Sequence, residues 1–231
     1  MLVIGFPALA FATNCYVIAT GAGQECLVID PGIGVVPQLE EVLTQNRLKP
    51  AAVLATHAHL DHVFSVTPVC GAHGVALSVH EADRYRLSDP AASLGPQLRM
   101  MFEQQFGTDG WSEPDDIVTL TGKQRLTIAG IDIDVIHAPG HTEGSVLLGL
   151  DYTAPQQPIT RIVFTGDVVF AGSVGRTDLP GGDPRVMSRT LNEVVLLLAD
   201  TSALLPGHGG QTTMARERVE NPYLQTLPAR N

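Results

Sequence analysis

The chain has no run of lysines or arginines, no Cys-x-x-Cys pair, no internal repeat and no apolar stretch as long as a membrane span. Each absence excludes a class of function. With a formal net charge of -10 and no basic stripe, nucleic acid and anionic membrane are disfavoured as main partners. The three cysteines, Cys15, Cys26 and Cys70, are an odd number, and two lie in strand-like runs. They read as reduced core residues, not as disulfides or thiolate ligands. Met1 to Pro7 carries no basic residue ahead of its apolar ones, so no secretory signal is expected and a cytoplasmic location is the default. No membrane association is expected either.

What is present is ordinary core material. Of 231 residues, 44% are hydrophobic and 16% charged, which suits one well-cored domain over the whole of 1–231. Cys15 to Ala19 and Glu25 to Asp30 read as strands joined by the turn Thr20 to Gly23. Val35 to Arg47 carries an apolar stripe at helical spacing, and Ala51 to Ala55 is the strand after it. A short helix is expected between Asp61 and Cys70, then a strand at Val75 to Val79. Glu81 to Asp116, rich in Pro and Gly, reads as a partly helical insertion or lid. Paired strands follow around Leu126 to Ile128 and Ile131 to Ile136, turned by Ala129-Gly130. Ser145 to Leu150, Arg161 to Thr165 and Ser202 to Leu205 complete the strands, and Pro184 to Leu198 has helical spacing.

Chemistry concentrates in Thr56-His57-Ala58-His59-Leu60-Asp61-His62, which holds three of the chain's eight histidines directly after a strand. Imidazole nitrogen and carboxylate oxygen are donors for zinc and for divalent iron or manganese, and alternate residues leaving a strand can aim at one point. Sequential residues cannot surround an ion, so further ligands must come from elsewhere. His141 in Pro139-Gly140-His141, Asp167 in Gly166-Asp167 and His208 in Gly207-His208 each follow a predicted strand and stand beside a glycine. Singly, each has an ordinary explanation as a turn cap, an amide-bonding carboxylate or a packed histidine. Together they give five histidines and two aspartates, enough for two ions. His80 and His137 are surplus to that set and read as structural, and His73 as a surface residue.

This combination, with Asn14-Cys15-Tyr16, Asp30-Pro31-Gly32 and Asn221-Pro222-Tyr223, resembles the metallo-β-lactamase superfamily, and within it the glyoxalase II (hydroxyacylglutathione hydrolase) branch. The resemblance implies a four-layer αββα sandwich of two mixed sheets. It implies two divalent metals, zinc first among them: His57, His59 and His141 on one, Asp61, His62 and His208 on the other, and Asp167 bridging. Asp30 would support the site without binding metal, and Arg176 would bind the thiol carrier. The implied activity is hydrolysis of a small-molecule thioester such as S-lactoylglutathione by a hydroxide between the metals, Asp61 helping to orient it.

Two departures stand out. Asp178 replaces an aromatic residue found near this position in the glutathione-specific enzymes, and Arg176 has Asp178 and Asp183 as competing salt-bridge partners. The chain also stops soon after Tyr223, where the classical enzyme continues into a helical domain. A short-form thioesterase for some other small thiol is therefore equally compatible. Gly175-Arg176-Thr177-Asp178 also resembles the mononuclear-iron persulfide dioxygenases, which form the rival enzyme class. Lactonase, β-lactamase and a non-enzymatic metal-binding module complete the alternatives.

Overall fold

The computed structural model describes residues 1–106, 111–154 and 158–226. Its first sheet contains β1 (Leu2–Pro7), β2 (Asn14–Ala19), β3 (Glu25–Ile29), β4 (Lys49–Leu54), β5 (Leu77–His80) and β6 (Ile117–Leu120), in that spatial order. The first three pair antiparallel and the remaining pairs are parallel. Parallel neighbours need a crossover. Helix α1 (Val36–Asn46) supplies one, started by Pro37 and stopped where Arg47 turns left-handed at φ 54. The short helices α2 (Leu60–Val63) and α3 (Val66–His73) lie in the next. The single short helix expected from Asp61 to Cys70 is therefore two.

The Glu81 to Asp116 insertion is partly helical as expected. It holds 3-10 turns at Glu81–Ser88 and Pro90–Ser93 and helix α4 (Pro96–Phe106), while its residues 107–110 lie outside the described residues. The second sheet adds β7 (Gln124–Ile128), β8 (Ile131–His137), β9 (Val146–Asp151) and β10 (Arg161–Gly166). A two-stranded ribbon, β11 (Val169–Phe170) and β12 (Ser173–Val174), precedes α5 (Pro184–Glu193). Strands β13 (Ser202–Pro206) and β14 (Thr212–Thr213), then α6 (Met214–Glu220) and α7 (Pro222–Gln225), end the described chain. The expected helix Pro184 to Leu198 stops at Glu193, and Val195–Leu197 is a 3-10 turn.

The sheets pack face to face through Ile18, Leu27, Ile29 and Leu54 on one side and Ile133, Val135, Leu148 and Phe164 on the other. Each such side chain contributes about 1.5–3 kcal/mol by leaving water. Helices α1 and α3 cover the outer face of the first sheet, and α5 with α6 covers that of the second. This is the αββα sandwich. All three cysteines are buried and unbridged within it.

Strands β8, β10 and β13 run the same way, since β9 is antiparallel to both β8 and β10, and β13 is parallel to β10. Their C-terminal ends therefore share one edge, and the loops leaving them carry His141, Asp167 and His208. The ends of β3 and β4, which are parallel, bring Asp30 and the histidine heptapeptide to the same place.

Candidate metal centre

The heptapeptide changes conformation midway. His57 and His59 lie on the segment leaving β4, His59 in extended backbone (φ -75, ψ 147), and the turn of α2 then presents Asp61 and His62. One short stretch thus reaches two neighbouring points. Ring centroids of His57, His59 and His141 lie 4.5 to 4.8 Å apart, and those of His62 and His208 are 5.3 Å apart. Donor atoms fall into three groups that each lie within 4.8 Å: His57, His59 and His141; His57, His62 and Asp167; Asp61, His62 and His208. All seven residues singled out in the sequence meet here.

The tautomers follow from hydrogen-bond chemistry. His141 Nδ1 faces the carbonyl of Arg176 at 2.7 Å, and His208 Nδ1 faces that of Phe11 at 3.1 Å. A carbonyl only accepts, so both Nδ1 atoms donate. His62 Nδ1 likewise donates to Asp30 Oδ2 at 3.0 Å. Thr56 gives its one hydroxyl proton to Asp30 Oδ2 (2.6 Å), so its oxygen accepts from His57 Nδ1 at 3.1 Å. In all four residues Nε2 is the nitrogen left to face the site.

The fit to a cation rests on those atoms. Nε2 of His57, His59, His62 and His141, and Oδ1 of Asp167, are buried with no hydrogen-bond partner among the described residues. A buried polar atom left unpaired costs about 1–3 kcal/mol, and five converging on one place call for a positive charge between them. Asp167 faces both groups, with Oδ1 3.4 Å from His62 Nε2 and Oδ2 3.5 Å from His208 Nε2 and 3.6 Å from His141 Nε2. The glycines beside the ligands are sterically required. A Cβ on Gly207 would come within 2.6 Å of the His62 ring, and Gly166, at φ +47, lies against Thr56.

Charge divides the ligands into two sets. Burial and neighbouring imidazoles push His57 well below its usual range and His59 down to about 3. Burial lowers His141 as well, against the opposing pull of Asp167. Burial would also lower His62 and His208, but in His62 the carboxylates of Asp167, Asp61 and Asp30 hold the imidazole well above its usual range, and in His208 Asp61 and Asp167 raise it.

The Arg176 guanidinium, 60% exposed, makes two hydrogen bonds to Asp178 at 2.7 and 2.6 Å, and the residue lines the cleft over the ligands. Asp183, the other expected competitor, caps α5 through the amides of Arg185 and Val186. Of the surplus histidines, His80 is buried and stacks on His137 at 4.1 Å. His73 pairs with Glu40 at 2.8 Å.

Several residues outside the candidate ligand set hold the site. Thr13 donates to Asp61 Oδ2 at 2.9 Å. Asn14 bonds the carbonyls of Pro206 and Gly209, and the Tyr16 hydroxyl that of Pro206, which fixes the loop carrying His208. The cleft above the ligands is about 460 Å³, walled by Phe11, Leu94, Leu98, Phe170, Val174 and Leu179. Leu94 and Leu98 come from the 81–116 insertion, which therefore lines the site.

A family model described as the metallo-beta-lactamase superfamily matches residues 8–208. The chain is 41% identical over 228 residues to an uncharacterized protein of Mycobacterium tuberculosis, covering 98% of this chain and 99% of the relative. It is 28% identical over 221 residues to a hydroxyacylglutathione hydrolase of Haemophilus influenzae, 95% of this chain and 96% of that one. The crystal structure of the B3 metallo-beta-lactamase BLEG-1 superposes with a TM-score of 0.79 at 32% identity, covering 96% and 99%.

Proposed function

Since the chain belongs to the metallo-β-lactamase superfamily, we propose that it is a metal-dependent thioesterase. It cleaves S-acyl thioesters of a low-molecular-weight thiol, with 2-hydroxyacyl thioesters such as S-lactoylglutathione as the first candidates. The observation that carries this is the makeup of the cleft wall. Apart from the candidate ligands, its polar side chains among the described residues are Ser93 and Arg176, and neither gives up a proton near neutrality. An amine or alkoxide leaving group needs a proton, whereas a thiolate, whose thiol has a pKa of about 8.5, leaves without one.

His57, His59 and His141 would hold one divalent ion and Asp61, His62 and His208 the other, with Asp167 shared. Zinc is the first candidate, and iron or manganese can use the same nitrogen and oxygen donors. Bound there, such ions supply an ionised water at neutral pH and an electrophile for the carbonyl oxygen. The chain supplies the rest. Asp30, Thr56 and the carbonyls of Phe11 and Arg176 lock the imidazoles in one tautomer, and Thr13 holds Asp61 at the cleft floor, where it can orient the attacking water. The apolar wall excludes bulk water and receives the acyl group. The name of the Haemophilus relative supports this choice of substrate.

The likeness to a structure named as a β-lactamase favours a second reading, amide hydrolysis in a lactam. The discriminating experiment is elemental analysis of purified protein beside a hydrolysis screen of S-lactoylglutathione, thioesters of other thiols, a chromogenic cephalosporin and a lactone. Two metals per chain with thioester cleavage are expected. Faster cephalosporin turnover would move the assignment to the second reading, and one iron with oxygen uptake on glutathione persulfide would move it to a dioxygenase.

A further inference from the structure

The first turn of the 81–116 insertion contains a wholly buried carboxylate, Asp83. Four donors surround it. Oδ2 accepts from the amide of Ala58 at 2.9 Å and the hydroxyl of Thr142 at 2.8 Å. Oδ1 accepts from the amide of Gly144 at 2.8 Å and from Arg86 Nε at 3.3 Å. Ala58 lies between His57 and His59, and Thr142 follows His141. Arg86 extends the connection, since its Nη2 donates to Glu143 and, at 2.8 Å, to the carbonyl of Pro180. Pro180 belongs to the loop whose Arg176 carbonyl orients His141.

Packing supports the same assignment independently. A Cβ on Gly144 would come within 2.6 Å of Asp83 Cβ and Cγ, so the loop after His141 is shaped around this side chain. Asp83 makes no hydrogen bond to the α2 turn that presents His62 or to the loop that carries His208, and these two histidines are oriented by Asp30 and by the Phe11 carbonyl.

We propose that Asp83 is a positioning residue for one ligand set only, that of His57, His59 and His141. By tying Ala58 to Thr142 and Gly144, it fixes the β4 loop against the β8 loop and sets the 4.5 Å approach of His59 to His141. The insertion is then part of the metal site as well as a wall of the cleft. This rests on the two-ion assignment above.

The test is zinc affinity by chelator competition in single-site backgrounds. Asp83→Asn keeps the side chain's size but turns an NH₂ toward two of the donors. With the second set disabled by His208→Ala, Asp83→Asn lowers the remaining zinc affinity about 10- to 100-fold, the range for a residue that orients a ligand. With the first set disabled by His141→Ala, it leaves the remaining affinity unchanged. Equal loss in both backgrounds, or loss in neither, overturns the proposal. If Asp83→Asn does not yield folded protein, Gly144→Ala, which displaces the carboxylate without altering charge, is held to the same outcomes. Failure of the unsubstituted chain to bind zinc, iron or manganese would instead sink the two-ion assignment and this proposal with it.

Discussion

Asp30 Oδ2 accepts a hydrogen bond from His62 Nδ1 at 3.0 Å and another from the Thr56 hydroxyl at 2.6 Å, while Oδ1 takes the Thr56 amide at 2.7 Å. Through Thr56 it also fixes the tautomer of His57. One buried carboxylate therefore aims a nitrogen into each candidate metal set. Asp30→Asn must present an N–H to one of these donors. Metal affinity is expected to fall about 10- to 100-fold, with thioester turnover falling alongside it. Full metal occupancy at stoichiometric zinc, measured by elemental analysis after dialysis against a weak chelator, would contradict this.

The two sets should differ in their response to pH. His57, His59 and His141 are pushed down by burial and stand neutral near pH 7. His62 is held up, against its burial, by Asp167, Asp61 and Asp30, so the metal-free imidazole keeps its proton to higher pH than those of the other set. A ligand nitrogen must be bare to bind. Metal entering the His62 set therefore expels a proton, and its apparent affinity rises with pH, whereas the other set responds little above neutrality. Zinc titration calorimetry in buffers of different ionisation enthalpy measures the released proton, and equal proton release from both equivalents would count against the division.

Asp178 competes with any substrate carboxylate for Arg176. Both side chains are exposed, and an exposed pair is weak. Asp178→Asn should improve KM for thioesters whose carrier has a carboxylate by no more than about fivefold, the upper reach of such a pair, and leave neutral carriers unaffected. An equal effect on both carriers would show that Arg176 does not meet the substrate.

Glu217 is wholly buried and holds the ribbon that follows Asp167. Its carboxylate accepts from the Gly172 amide at 2.7 Å, Thr212 Oγ1 at 2.6 Å and Asn221 Nδ2 at 2.9 Å. Glu217→Ala strands three donors, which should cost about 3 kcal/mol. For a domain of this size that lowers Tm by about 10 °C. Phe170 and Val174 of the ribbon line the cleft, so KM should rise as well. A variant with unchanged Tm in a thermal melt would refute the clamp.

Much of the site was legible because its signals are local. His57, His59, Asp61 and His62 lie within six residues, and His141, Asp167 and His208 each announce themselves as a donor beside a glycine after a strand. Close approach demands those glycines, as Gly207 against His62 shows. Other elements were not legible. Strand β6 is a four-residue edge following the acidic stretch Glu113 to Asp116, and the β11–β12 ribbon has two residues per strand. Neither is long enough to show an alternating pattern.

The sequence by itself determined the donor types and the strand ends that carry them, since ligand chemistry and apolar periodicity belong to individual residues and short windows, and the αββα class came with the family resemblance those residues carry. Only the tertiary structure decided which nitrogen of each imidazole faces the site, that Arg176 turns to Asp178, and that Thr13, Asp83 and Glu217 brace the loops. Those facts depend on hydrogen bonds joining residues up to 197 apart, such as His208 to Phe11. A buried threonine or carboxylate acquires its role from the donors and acceptors that folding brings around it.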